Sequence, residues 1–240
     1  MNSLDVEINL IRKSRRRLRF CGGVVLGILL LLATPSKGET LYDQFNDNSL
    51  NENLWWADVT GTGPTVQEIN GRLEITFPAN SSGVTLMAGV GSEFELMGDF
   101  DARVDFDLLN WPGGNGFNVS LTTGVNFTIS RYSYTFWDHE GYLLYNAGNM
   151  FSVPASGTSG KLRIKRTGNT MEAFYWQNDT WQSIGASSND QFAGKTNIGL
   201  NADCGNPSRF TGQLVKIGFR NFQVTDQFGA AMPFLPLLLD

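Results

Sequence analysis

Asp101, Arg103, Asp105 and Asp107 occupy alternate positions. In an extended strand they share one face, about 6.6–6.8 Å apart per two-residue step. Hydrolysis of a glycosidic bond uses two carboxyl groups, one of them held protonated. Asp105 and Asp107 are the nearest catalytic candidates for such a pair. Arg103 beside them favours the ionised form, which suits a general acid poorly. The row therefore reads as a hydrated outer face with cross-strand ion pairs. His139, in Trp137-Asp138-His139-Glu140-Gly141, has no second His or Cys at ligand spacing, so it reads as part of a turn rather than a zinc site. No phosphate-cradling glycine loop or serine nucleophile elbow is present.

Aromatic residues offer a second kind of chemistry. Sugars present apolar C–H faces and many hydroxyls, so rings beside amides and carboxylates can hold them. Trp111-Pro112-Gly113-Gly114-Asn115-Gly116 sets a large ring and an amide in a flexible loop. Arg131-Tyr132-Ser133-Tyr134-Thr135-Phe136-Trp137 puts rings on both faces of one segment, and Tyr175-Trp176 does the same. A strand in a two-layer fold buries one face only, so some of these rings are expected outside. Trp55 and Trp181 are assigned to the core. Trp111, Asn115, Tyr132, Tyr134, Trp137 and Trp176 are the ligand-binding candidates. A protein partner would find the same patch equally useful.

The elements that must position these residues are strands. Phe100, Ala102, Val104, Phe106 and Leu108 alternate with the charged row, and similar alternation runs through 161–165, 197–202 and 215–220. Phe222 and Val224 then fall on the opposite parity, which a bulge near Arg220-Asn221 would correct. Asn70-Gly71, Thr167-Gly168-Asn169 and Asn178-Asp179 mark tight hairpins. The spacing predicts an all-β, antiparallel two-sheet sandwich of about 12–14 strands.

The first 38 residues read as an address. Six basic residues between Arg12 and Arg19 precede a 14-residue apolar run, Phe20–Ala33, and then Thr34-Pro35-Ser36-Lys37-Gly38. That order is a signal peptide with cleavage before Glu39, and the run is short for a membrane span. Arg15-Arg16 leaves twin-arginine export open beside the general route. Without residues 1–38 the chain keeps 11 basic and 21 acidic residues, a net of −10. That charge disfavours nucleic acid and anionic membrane surfaces as partners. Cys204 is then the lone cysteine, so no internal disulfide forms and it reads as a small buried apolar group. Residues 39–226 form the domain, and 227–240 are an apolar tail with two prolines.

Several segments, in order, resemble the concanavalin A-like lectin/glucanase family. They are Leu41–Leu50 with Trp55-Trp56, the Asn70–Ile75 hairpin, Gly98–Val104, Gly160–Thr170 continuing to Trp181, and Ile217–Val224. The resemblance spans about residues 41–225 and implies a jelly roll whose closing strand pairs with its opening one. Hydrolases of the laminarinase type carry Glu-x-Asp-x-Glu or Glu-x-Asp-x-x-Glu on one strand, and neither occurs here. The resemblance also implies calcium near the paired terminal strands, where Asp43, Asp47, Asn48 and Asp226 are the oxygen donors at hand. The reading is an exported, lectin-like module, periplasmic, extracellular or at a bacterial cell surface, that binds carbohydrate or another surface polymer without catalysis. A hydrolase with an unusual carboxylate pair and an adhesive envelope protein are the alternatives.

Overall fold

A computed structural model describes residues 39–133, 139–146, 148–204, 206–210 and 212–226. The expected signal segment, Tyr134, Trp137 and the 227–240 tail lie outside these residues. Within them are fifteen strands, a little above the expected number, and two short 3-10 turns. No helix among the described residues is long and apolar enough to cross a membrane.

The strands form two antiparallel sheets. The eight-stranded sheet runs β13 (Thr180–Ser188), β12 (Thr170–Gln177), β11 (Ser159–Thr167), β6 (Phe100–Asn110), β15 (Val215–Asp226), β4 (Arg72–Phe77) and β3 (Thr65–Ile69), with β1 (Glu39–Asp43) also on β15. The seven-stranded sheet runs β10 (Asn149–Pro154), β9 (Gly141–Asn146), β8 (Phe127–Tyr132), β7 (Asn118–Thr123), β14 (Ile198–Cys204), β5 (Ser82–Ser92) and β2 (Trp55–Thr62). The opening and closing strands pair, with Leu41 opposite Val224. The chain is thus an antiparallel two-sheet sandwich of the jelly-roll type.

Local chemistry explains the topology. Asn70 and Gly71 both adopt positive φ (57° and 69°), as do Asn178 and Asp179 (52° and 57°), which is the turn geometry that two-residue hairpins require. The register of β15 against β6 shifts between Arg220 and Gln223, so Phe219, Phe222 and Val224 are all buried. The inward faces bury Leu73, Ile75, Val104, Phe106, Leu121, Ile129, Leu200 and Ile217 in one continuous core. Trp55 is buried as expected, 4.9 Å from the Phe222 ring, with its indole N–H donated to Asp43 Oδ2 at 2.8 Å. Cys204 is buried too.

Charge separates by face. The outward side of the eight-stranded sheet carries Arg72, Arg103, Lys161, Arg163, Lys165, Lys216 and Arg220, seven of the eleven basic residues after position 38. It carries five carboxylates, on Glu74, Asp101, Asp105, Asp107 and Glu172, for a net of +2 on a chain whose residues 39–240 sum to −10.

Candidate functional site

The carboxylate row lies on that outer face, and each member meets a cation. Asp101 accepts from Arg163 at 2.7 and 2.5 Å. Asp105 lies 3.5 Å from Lys161 Nζ and accepts from Asn221 Nδ2 at 2.9 Å. Asp107 meets Arg220 at 3.0 Å and Arg72 at 3.5 Å. Asp105 and Asp107 therefore sit in a ladder of ion pairs and hydrogen bonds rather than as an isolated carboxyl pair.

The aromatic candidates do not gather. Trp111, Asn115 and Tyr132 lie at one end of the sandwich around Glu140. That carboxylate accepts from Ser133 Oγ at 2.7 Å, Arg131 Nη2 at 2.8 Å, and Gly114 N and Trp111 Nε1 at 3.4 Å each. Burial alone would raise the Glu140 carboxyl; the Ser133 and Arg131 bonds and the Arg131 charge outweigh it and hold it below its ordinary range. Asn115 and Tyr132 are fully buried, and Trp111 is half-buried against the core. This end is a structural clasp, not an open array of rings. Trp176 lies on the eight-stranded sheet instead. Trp181, assigned to the core by sequence, is half-buried on that same outer face, edge-on to Trp176 at 5.1 Å. Register forces this: Trp176 is directly opposite Trp181 across the hairpin.

The four calcium candidates do not converge either. Asp226 pairs with Glu39 while Asp43 pairs with Phe222, four residues along β1, or about 13 Å. Both Asp43 oxygens are engaged, by Phe45 N at 2.8 Å and by the Trp55 indole. The amides of Asp47 and Asn48 are turned to Glu68 Oε1 at 3.0 and 3.1 Å. These residues do not fit one cation. Glu68, which sequence reasoning did not single out, is pushed up to about 7, first by burial and then by the side-chain hydrogen bond and charge of Asp47 and the charge of Asp43, against the lowering effect of the Asp47 amide. Near neutral pH a proton on Glu68 relieves the repulsion in this cluster.

A cleft of about 220 Å³ opens on the outer face of the seven-stranded sheet. Its floor includes the paired positions Trp56, Gly91, Gly199 and Thr122, and the same row of paired positions continues beyond the cleft to Thr128 and Tyr145, six strands in all. Trp56 is 45% exposed and Tyr145 is 37% exposed. The rings at the two ends stand five strand spacings apart, about 24 Å. A Cβ on Gly91 would lie 2.4 Å from Trp56 Cε2 and Cζ2, so only glycine there lets the indole lie down on the sheet. Asp58, Asn197 and Asn201 supply carboxylate and amide groups around it. Thr122 and Thr128 share a hydroxyl bond of 2.6 Å. Two outward-facing rows further along, Asp203 accepts from Asn118 Nδ2 at 3.3 Å. Burial pushes the Asp203 carboxyl up to about 6, against the lowering effect of that bond. Trp56 was legible in one respect: two consecutive tryptophans on a strand cannot both face the core.

Solved structures with this arrangement include glycan enzymes and a protein described as a pseudo-glucanase. LamAcat from Zobellia galactanivorans matches at TM-score 0.57 and 13% identity, over 80% of this chain and 98% of that one. SCLam, a non-specific endo-β-1,3(4)-glucanase of family GH16, matches at 0.56 and 13%, over 81% and 93%. An immunostimulatory antigen and pseudo-β-1,3-glucanase of Mycobacterium tuberculosis matches at 0.56 and 11%, over 78% and 98%. This chain has their fold. No protein-family model and no curated protein matches its sequence. A fold shared by a glucanase and a pseudo-glucanase does not decide between cleaving and holding a glycan.

Proposed function

We propose that this chain is an exported, lectin-like module that holds a neutral glycan in the Trp56 cleft and does not cleave it. The observation that carries the reading is the indole of Trp56, laid over Gly91 and exposed among threonine hydroxyls and asparagine amides. A flat ring with a rim of hydroxyls, amides and the Asp58 carboxylate matches a sugar's apolar face and its hydroxyls. The glycan enzymes that share the fold support a carbohydrate ligand. The basic and apolar leader in the sequence supports export.

Binding without cleavage is favoured by where the acids stand. Among the described residues, the strands of this sheet turn two carboxylates to the cleft side, Asp58 and Asp203. They are two strands and two residues apart, about 12 Å between backbones. Glycosidases set their two carboxyl groups about 5–9.5 Å apart, and these two acids stand on strands separated by β5. A glycan array followed by titration calorimetry tests the proposal: neutral oligosaccharide binding is expected, with a loss of at least about tenfold in Trp56→Ala. Asp203 supports a second reading, because a carboxyl raised to about 6 has the protonation of a general acid. Reducing-end release that disappears in Asp203→Asn would favour that reading over simple binding.

A further inference from the structure

The eight-stranded sheet holds a hollow of about 300 Å³ on the side away from the Trp56 cleft. Arg103, Asp105 and Lys161 lie within it, Trp176 and Trp181 wall it, and Tyr42, 49% exposed, stands at its mouth. We propose that this hollow binds a sugar ring bearing a carboxylate, as in a uronate-containing polysaccharide.

Three observations converge on that chemistry. The first is Arg103. Its Nε and Nη2 both donate to the neutral Gln223 Oε1, at 3.1 and 2.5 Å, and no carboxylate among the described residues lies in ion-pair range of it. Its neighbours differ: Arg163 is matched to Asp101, and Lys161 to Asp105. With Arg103 and Lys161 against Asp105, the hollow carries one excess positive charge, on a face that is net positive while the rest of the chain is acidic. A guanidinium fork held by an amide is the geometry that exchanges a neutral acceptor for a carboxylate. The second is the tryptophan pair, edge-to-face at 77°, which gives an apolar wall for the C–H face of a ring. The third is size: the volume is at the lower end for small-molecule sites and suits one ring of a polymer that continues past the exposed Tyr42. The inference does not rest on the Trp56 cleft, which shares no residue with this hollow.

Titration calorimetry of the full-length chain with oligogalacturonate tests it, with neutral gluco-oligosaccharide and dextran sulfate as parallel arms. Oligogalacturonate is expected to bind, and to bind more weakly as salt rises. Arg103→Gln and Trp176→Ala are each expected to weaken it about tenfold. Arg103→Lys recovers only part, because an ammonium lacks the fork. Trp56→Ala leaves oligogalacturonate binding unchanged, while failure of the neutral arm would bear on the cleft alone. The proposal is overturned if oligogalacturonate does not bind, or if Arg103→Gln binds it as tightly as the parent. Lys165→Gln, on the same face outside the hollow, is expected to have no effect; an equal loss there, or dextran sulfate binding with the same Arg103 dependence, would replace a uronate site with diffuse attraction for polyanions.

Discussion

Glu68→Gln is expected to remove most of a neutral-pH weakness built into the start of the chain. Glu68 is 7% exposed, with Asp47 and Asp43 close enough to repel its charge. Its carboxyl is raised from 4.5 to about 7, so folding favours the protonated form. The stability this confers is complete below about pH 4.5 and is lost as pH rises through about 7. The difference between those values corresponds to about 3 kcal/mol. Glutamine is a permanent imitation of the protonated acid. Its Oε1 can still accept from the Asp47 and Asn48 amides, which lie at 3.0 and 3.1 Å, and its Nε2 can donate to the Asp47 carboxylate where the proton did. Urea unfolding at intervals from about pH 5 to pH 8 should show parent and variant nearly equal at the acid end. At the alkaline end the variant should be more stable by about 3 kcal/mol, or about 6–12 °C in Tm. Parallel curves over the whole range, or a gap that widens toward acid, would refute the reasoning.

Asp203→Asn should act with the same sign: the carboxyl is raised from 3.8 to about 6, so the parent loses stability as pH rises through about 6 and the variant does not, checked by thermal melts across that range. Arg166 is fully buried and donates to the carbonyls of Leu96, Gly98, Phe192 and Gly194, tying two loops to β11. Arg166→Leu strands those acceptors and should cost at least about 3 kcal/mol, lowering Tm by about 10 °C in calorimetry. Because Asp43, Asp47, Asn48 and Asp226 do not converge, EDTA should leave the melting temperature unchanged.

How legible all this was in the sequence depends on the range of the interaction. Hairpins declare themselves locally, so the Asn70-Gly71 and Asn178-Asp179 turns and the β15 bulge could be placed from adjacent residues. Trp181 was assigned to the wrong face although the signal was there: a two-residue turn after Gln177 forces Trp181 opposite Trp176, and one cannot be outside without the other. The calcium set failed on register. Pairing of the terminal strands was foreseeable, but nothing local says that Asp226 meets Glu39 rather than Asp43. The cleft was the least legible part. Its floor draws Gly91 from β5, Gly199 from β14 and Thr122 from β7, neighbours in space that are far apart in the chain.

The placement of the two proposed sites on opposite faces makes one more statement that can be checked. The sheets of a sandwich lie about 10 Å apart. Here the space between them is filled by one packed core of Phe106, Leu121, Ile129, Leu162 and Leu200. Energetic coupling between sites needs an element with two arrangements that both ligands bias, and a close-packed core of this kind supplies none. Saturation with neutral glycan should therefore leave the affinity for oligogalacturonate within about twofold of its value alone. The Trp56→Ala and Arg103→Gln effects should add in the double variant. Avidity is a separate matter: a matrix displaying both kinds of chain should retain the protein far more strongly than either alone, because the second contact forms at a high effective concentration. A double variant that departs from additivity, or retention on the mixed matrix no better than on the stronger single one, would show that the two faces do not act as independent grips.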